Sequence, residues 1–156
     1  MAIALTLQQY LDDQGIDYDI LTHRRTATSS EGAQASHVPG DKVAKAVVLS
    51  REGGFVVAVI PASCQVRLDE VGKLVEGYVS LSSEDEIVSL FPDCDPGAIP
   101  PLAEAYGLPT IVDERLDQID EVYLEGGDHC SLIHLSGAQF RELQATAKRA
   151  RIAEHM

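Results

Sequence analysis

Apolar positions along the chain change period every ten residues or so, and each change predicts an element. Leu7, Tyr10 and Leu11 recur at helical intervals inside Thr6-Leu7-Gln8-Gln9, whose spacing suits a capping box, and Gly15 supplies a stop, so a first helix is expected over about 6–14. Residues 18–21 read as a short strand, and Ser29-Ser30-Glu31 starts a small alanine-rich helix that ends before Pro39-Gly40. Apolar runs at 43–49 and 55–60 flank Arg51-Glu52-Gly53-Gly54 and predict a hairpin. Leu68, Val71, Leu74 and Val75 restore the helical period, after which 78–81 is extended. The acidic start Ser83-Glu84-Asp85-Glu86 opens a helix carrying Ile87, Val88, Leu90 and Phe91, and Pro92 stops it.

Residues 93–101 hold three prolines and one glycine, the composition of an ordered, irregular loop. A strand at 110–112 follows, and then a second hairpin, 121–125 with 131–135, across Gly126-Gly127-Asp128. Ser136-Gly137-Ala138-Gln139 repeats the capping-box spacing and predicts a last helix to about Arg149, with 152–156 frayed. Hairpins with helices between them predict an α+β fold: a single domain over 1–156 with a mixed, mostly antiparallel sheet and packed helices.

Size and charge narrow the picture. At 156 residues and 45% hydrophobic, the chain can bury one core, and no biased stretch marks a linker. The longest apolar run, 55–60, is far short of the roughly 20 residues a membrane span needs. The first eleven residues lack the cationic start of a secretory signal, and Cys64, Cys94 and Cys130 show no CxxC spacing, so a cytoplasmic protein without a disulfide framework is expected. A net charge of -13 argues against a broad nucleic-acid surface and against DNA duplex binding. Cations are nonetheless clustered. Arg115 is the one basic residue between Glu84 and Asp128, whereas His23-Arg24-Arg25, Lys42, Lys45 and Arg51 gather early, so a small anionic group can be received locally.

Few residues suggest chemistry. Lys45 interrupts Val43-Ala44-Lys45-Ala46-Val47-Val48-Leu49, and strand alternation places it on the face of Val43, Val47 and Leu49. An ammonium buried there needs partners, although a lysine on an edge strand also serves simply to block aggregation. Phosphate-loop, dinucleotide, HExxH and GxSxG signatures are absent. On a strand, His129 would face away from Cys130 and His134, so no metal site and no cofactor are expected. Cys94 sits in the proline loop with nothing to mark a general base. His23, Arg24 and Arg25 fit either a phosphate contact or a solvated turn.

Taken in order, Thr26-Ala27-Thr28-Ser29-Ser30-Glu31-Gly32-Ala33-Gln34-Ala35, Lys45 in its strand, Gly97-Ala98-Ile99-Pro100-Pro101-Leu102 and Leu108-Pro109-Thr110-Ile111-Val112-Asp113 resemble the YbaK family, related to the editing domain of bacterial prolyl-tRNA synthetases. The resemblance covers nearly the whole chain. It implies deacylation of mischarged tRNA in trans, with a small noncognate amino acid of the alanine, serine or threonine class as the group removed. It further implies that Lys45 contacts the aminoacylated 3′ end, that Gly97, Ala98, Ile99, Pro100 and Pro101 shape the amino-acid pocket, and that His129 lies at a pocket position. Thr28 and Ser29 are expected at the pocket mouth or as a helix cap. Relatives often carry Thr or Asn after the lysine, where this chain has Ala46. The expected partner is the acceptor end of aminoacyl-tRNA, delivered with help from an aminoacyl-tRNA synthetase or elongation factor. A module that binds an aminoacyl or nucleotide end without hydrolysing it is the alternative.

Overall fold

The structure is a computed structural model describing residues 3–156. Helix α1, Leu5–Asp13, turns Leu7 and Leu11 into the core one helical turn apart. It starts one residue earlier than the capping box predicts. Ala4 is the N-cap, and the Thr6 N–H is taken by the Asp93 carboxylate at 2.8 Å, which ties the helix to the proline loop. Strand β1, Asp19–Thr22, precedes α2, Ser29–Ala35, whose N-cap Thr28 accepts from the Glu31 N–H at 3.1 Å.

The first hairpin is β2, Val43–Arg51, and β3, Gly54–Pro61, turning at Gly53 with φ +82°. A short strand the apolar pattern does not reveal, β4 at Cys64–Val66, leads to α3, Leu68–Val75, and β5, Val79–Leu81. Helix α4, Glu84–Leu90, opens on a complete capping box between Ser83 and Glu86. After the proline loop come β6, Thr110–Asp113, and the second hairpin, β7, Glu121–Glu125, with β8, Ser131–Ser136. Helix α5, Gly137–Leu143, has its own capping box between Ser136 and Gln139.

Two sequence expectations fail at the C-terminal end. Helix α5 stops at Leu143, six residues short of Arg149, because Arg149 folds back: its guanidinium donates to the Gln144 and Ala147 carbonyls and pairs with Asp117 at 2.9 Å. Lys148–Ala150 is instead a strand, β9, parallel to β6. The tail is not frayed either. Ile152 is fully buried, Ala153–His155 forms β10 against β4, and the buried Asp113 carboxylate accepts the N–H groups of Ile152 and Ala153, each at 3.0 Å.

The main sheet runs β1-β8-β7-β2-β3-β6-β9, with β5 paired to β2 beside that path. Its pairs are antiparallel except β2 with β7, β3 with β6 and β6 with β9, so the α+β, mixed and mostly antiparallel expectation agrees with the structure. One face packs Ala44, Val48, Val57 and Val59 against α1, α5 and Phe91. The other packs Leu49, Val56 and Ile60 against Val71 of α3 and Ile152 of the tail.

One feature of this topology creates the site. Strand β2 meets β7 only at Val43 and Ala44 and meets β5 only from Leu49 onward. Between these pairs, Lys45 to Val48 have no strand beside them on that edge among the described residues, and the sheet splits there.

Candidate active site

The split holds a cavity of about 490 Å³. Ala46, Val47 and Val48 form its floor along the open edge of β2, while Leu81, Ser82, Ile87 and Val88 supply one wall. Pro96, Gly97, Ile99 and Ala27 supply the wall opposite. The lining is small and apolar apart from Ser82 and Glu84, and the Ser82 N–H donates to the Val48 carbonyl at 3.1 Å, which fixes where β5 rejoins the sheet.

The proline loop is anchored from below. Gly97 takes φ +82°, a conformation that favours glycine, and the Ala98 N–H closes the turn on the Asp95 carbonyl at 2.9 Å. Ala98, Pro100 and Pro101 are buried beneath the loop rather than facing the cavity. The buried Gln144 amide donates to the Pro101 carbonyl at 2.8 Å. His129 Nε2 donates to the Pro96 carbonyl at 2.6 Å.

His129 is not on a strand, which corrects the facing argument made from sequence. It sits in the β7–β8 turn at φ +61°, with the Asp128 carboxylate receiving the Cys130 N–H, the Ser131 N–H and the Ser131 hydroxyl at 2.9, 2.8 and 2.9 Å. This Asx-type turn aims the imidazole under the loop. Among the described residues, no three His, Cys, Asp or Glu side chains group closely enough to hold a metal ion.

Lys45 stands beside the cavity without lining it. Its half-buried ammonium is on the face shared with Val47, and it donates to the Ala62 carbonyl at 3.4 Å, where Ser30 of α2 also donates at 3.0 Å. Burial pulls its pKa below the ordinary lysine value, against a smaller opposing influence from Cys64. Thus, of the residues singled out from sequence, the structure brings Ala46, Gly97 and Ile99 to one cavity. His129 stands behind that cavity as a support. Thr28 and Ser29 cap and begin α2, and Lys45 points to the neighbouring carbonyl.

The wall from β5 and α4 was not legible in the sequence. Leu81, Ile87 and Val88 look like ordinary packing residues, and only the pairing of β5 with the far end of β2 turns them toward the split. Cys94, at the start of the loop, lies 3.3 Å from the Tyr106 hydroxyl, and burial pushes its thiol up to about 12, which disfavours the thiolate at neutral pH.

A sheet split around a cavity, with a proline-stiffened loop as one wall, is the candidate site that this fold presents. Residues 23–143 match the family of the aminoacyl-tRNA editing domain, and the chain belongs to that family, the YbaK family. It is an aminoacyl-tRNA deacylase that edits mischarged tRNA. Among solved structures, a candidate trans-editing enzyme for prolyl tRNA synthetase superimposes with a TM-score of 0.84 at 24% identity, covering 96% of this chain and 95% of that one. The hypothetical protein APE2540 gives 0.84 at 23% identity over 96% and 99% of the two chains. A scaffold used for computational epitope backbone grafting gives 0.85 at 24% identity over 97% of each. These likenesses show the fold. No curated protein matches the sequence. Among the described residues no helix is long and apolar enough to cross a membrane.

Proposed function

We propose that the chain, acting as one domain over 1–156 in the cytoplasm, hydrolyses in trans the ester between the terminal adenosine of tRNA and a small noncognate amino acid of the alanine, serine or threonine class. The observation that carries this reading is the cavity at the unpaired stretch of β2, floored by Ala46 and walled by Gly97 and Ile99. Its lining suits a short side chain, and Ala46 leaves the floor without a polar side chain, so selection there rests on size more than on a side-chain hydrogen bond.

Ester hydrolysis places negative charge on the carbonyl oxygen, and fixed dipoles aimed at that oxygen lower the barrier by about 3 kcal/mol. The loop at Gly97 brings backbone close to the bound ester, and its anchorage through His129 and Gln144 holds those groups still. Lys45 acts in positioning: its ammonium has one hydrogen-bond acceptor, Ala62, and turns from it toward the 3′-terminal ribose or phosphate when the acceptor end arrives. An aminoacyl ester is activated already, so neither a metal nor a covalent intermediate enters this account. A synthetase or an elongation factor delivers the substrate to this acidic protein.

A binding module without hydrolysis rests on one observation, the hydrogen bond of Lys45 to the Ala62 carbonyl at 3.4 Å and its place outside the cavity lining. A panel of alanyl, seryl, threonyl and cysteinyl tRNAs separates the two. Release of amino acid from at least one of them, lost in Lys45→Ala, supports the deacylase. An intact panel with retained binding supports the module.

A further inference from the structure

A second depression, of about 380 Å³, adjoins the cavity and is lined by Arg25, Thr26, Ala27, Pro96 and His129. Ala27 and Pro96 line both hollows, so the two lie side by side. Its cation is Arg25, held across the depression by the Asp95 carboxylate at 3.2 Å and the Asp128 carbonyl at 3.3 Å.

Arg25 carries the one guanidinium among the lining residues, and neither Arg24 nor any lysine lines the depression. Lys42 is tied to Glu121 and Asp120, Arg115 is drawn to the Ala153 carbonyl, and Lys45 is directed to Ala62. The backbone beneath Arg25 is fixed, because the His23 N–H donates to Cys130 at 2.8 Å and the Thr26 N–H to His129 at 3.1 Å. The partner of Arg25 is not fixed. With side chains 58% and 40% exposed, the Arg25–Asp95 pair is of the weak, solvent-screened kind that an incoming anion displaces easily. A guanidinium fork matches the geometry of a phosphate.

We propose that this depression receives a backbone phosphate of the single-stranded 3′ end of tRNA, with Arg25 exchanging Asp95 for that phosphate while the aminoacyl group enters the adjoining cavity. The inference rests on the reading of that cavity as the aminoacyl site. It also accounts for RNA binding by a chain of net charge -13: the contact is one local phosphate, and Asp95 holds the guanidinium in place until it arrives.

The test uses the full chain and two measurements. The first is binding of an uncharged minihelix RNA ending in CCA, which needs no hydrolysis. The second is hydrolysis of the alanylated minihelix and of 3′-alanyl-adenosine, which has no phosphate. Arg25→Gln is expected to weaken minihelix binding at least fivefold and to flatten the slope of log K against log salt by about 0.7. It should raise KM for the alanylated minihelix with little change in kcat, and the loss on that substrate should exceed the loss on alanyl-adenosine at least fivefold. Arg25→Lys should restore part of the binding, and Asp95→Asn should tighten it. Unchanged minihelix binding in Arg25→Gln overturns the proposal, and so do equal losses on the two alanyl substrates, which would mark Arg25 as a loop support. A wild-type chain that binds the minihelix through Arg25 but cleaves neither substrate upholds the phosphate contact and removes the catalytic reading alone.

Discussion

His129 Nε2 lies 2.6 Å from the carbonyl oxygen of Pro96, the residue before Gly97. A carbonyl can only accept, so this nitrogen carries a proton, and the β7–β8 turn thereby holds the wall of the cavity. His129→Ala leaves the carbonyl without its donor and puts alanine at φ +61°. A loss of about 1–3 kcal/mol in unfolding free energy is expected, together with at least a tenfold fall in deacylation. His129→Asn, which tolerates that backbone conformation, should recover part of the stability. Denaturant titration and deacylation rates check both, and a His129→Ala protein equal to wild type in the two would contradict this role.

Lys45 is charged at a cost. Its folded-state pKa is lowered by burial, so the unfolded chain binds its proton more tightly. The penalty is therefore full below the folded pKa, and stability rises as pH climbs from there to the unfolded value of about 10.4. Lys45→Met should melt at or above wild type at pH 7, with that advantage shrinking as pH approaches about 10.4, and should lose at least tenfold in deacylation. Melting curves from pH 7 to 10.5 read the first effect, and a Lys45→Met protein distinctly less stable at pH 7 would show that the Ala62 bond outweighs desolvation.

Cys94, with its thiol pushed up to about 12, carries only about one part in ten thousand of thiolate at pH 8. Iodoacetamide should label it far more slowly in the native protein than in the unfolded chain, and Cys94→Ala should keep its deacylation rate. Rapid native labelling with loss of activity would reinstate a nucleophile.

The C-terminal tail is structural. Ile152→Ala should cost about 2–4 kcal/mol, because a fully buried side chain is removed between α3 and the sheet, whereas Glu154→Ala should change stability by less than about 0.5 kcal/mol. Equal, small effects in chemical denaturation would return the tail to the frayed state its composition suggests.

Local signals carried much of this fold. Both predicted hairpins are present, the acidic start after Ser83 and the capping box at Ser136 open their helices, and Pro92 follows the end of α4. Strand alternation also placed Lys45 on the face of Val47. What failed depends on distant partners. Nothing near Arg149 tells that its guanidinium caps α5, and nothing near Ile152 tells that Asp113, far away in sequence, will take its N–H. The cavity itself follows from which strands flank β2 and where they stop, so residues such as Ile87 come to line it only in three dimensions. The resemblance located Gly97 and Ile99 on the cavity wall but not the hydrogen bond that diverts Lys45 to Ala62.

The proposed seat of the aminoacyl group is the split beside β2, and Ala46 at its floor is where occupancy is tested. Valine suits a strand, so Ala46→Val should keep the melting temperature within a few degrees while filling part of the cavity. With the best substrate of the tRNA panel, its deacylation rate should fall at least tenfold below wild type. A folded Ala46→Val protein that hydrolyses the substrate at the wild-type rate would contradict the placement of the aminoacyl group.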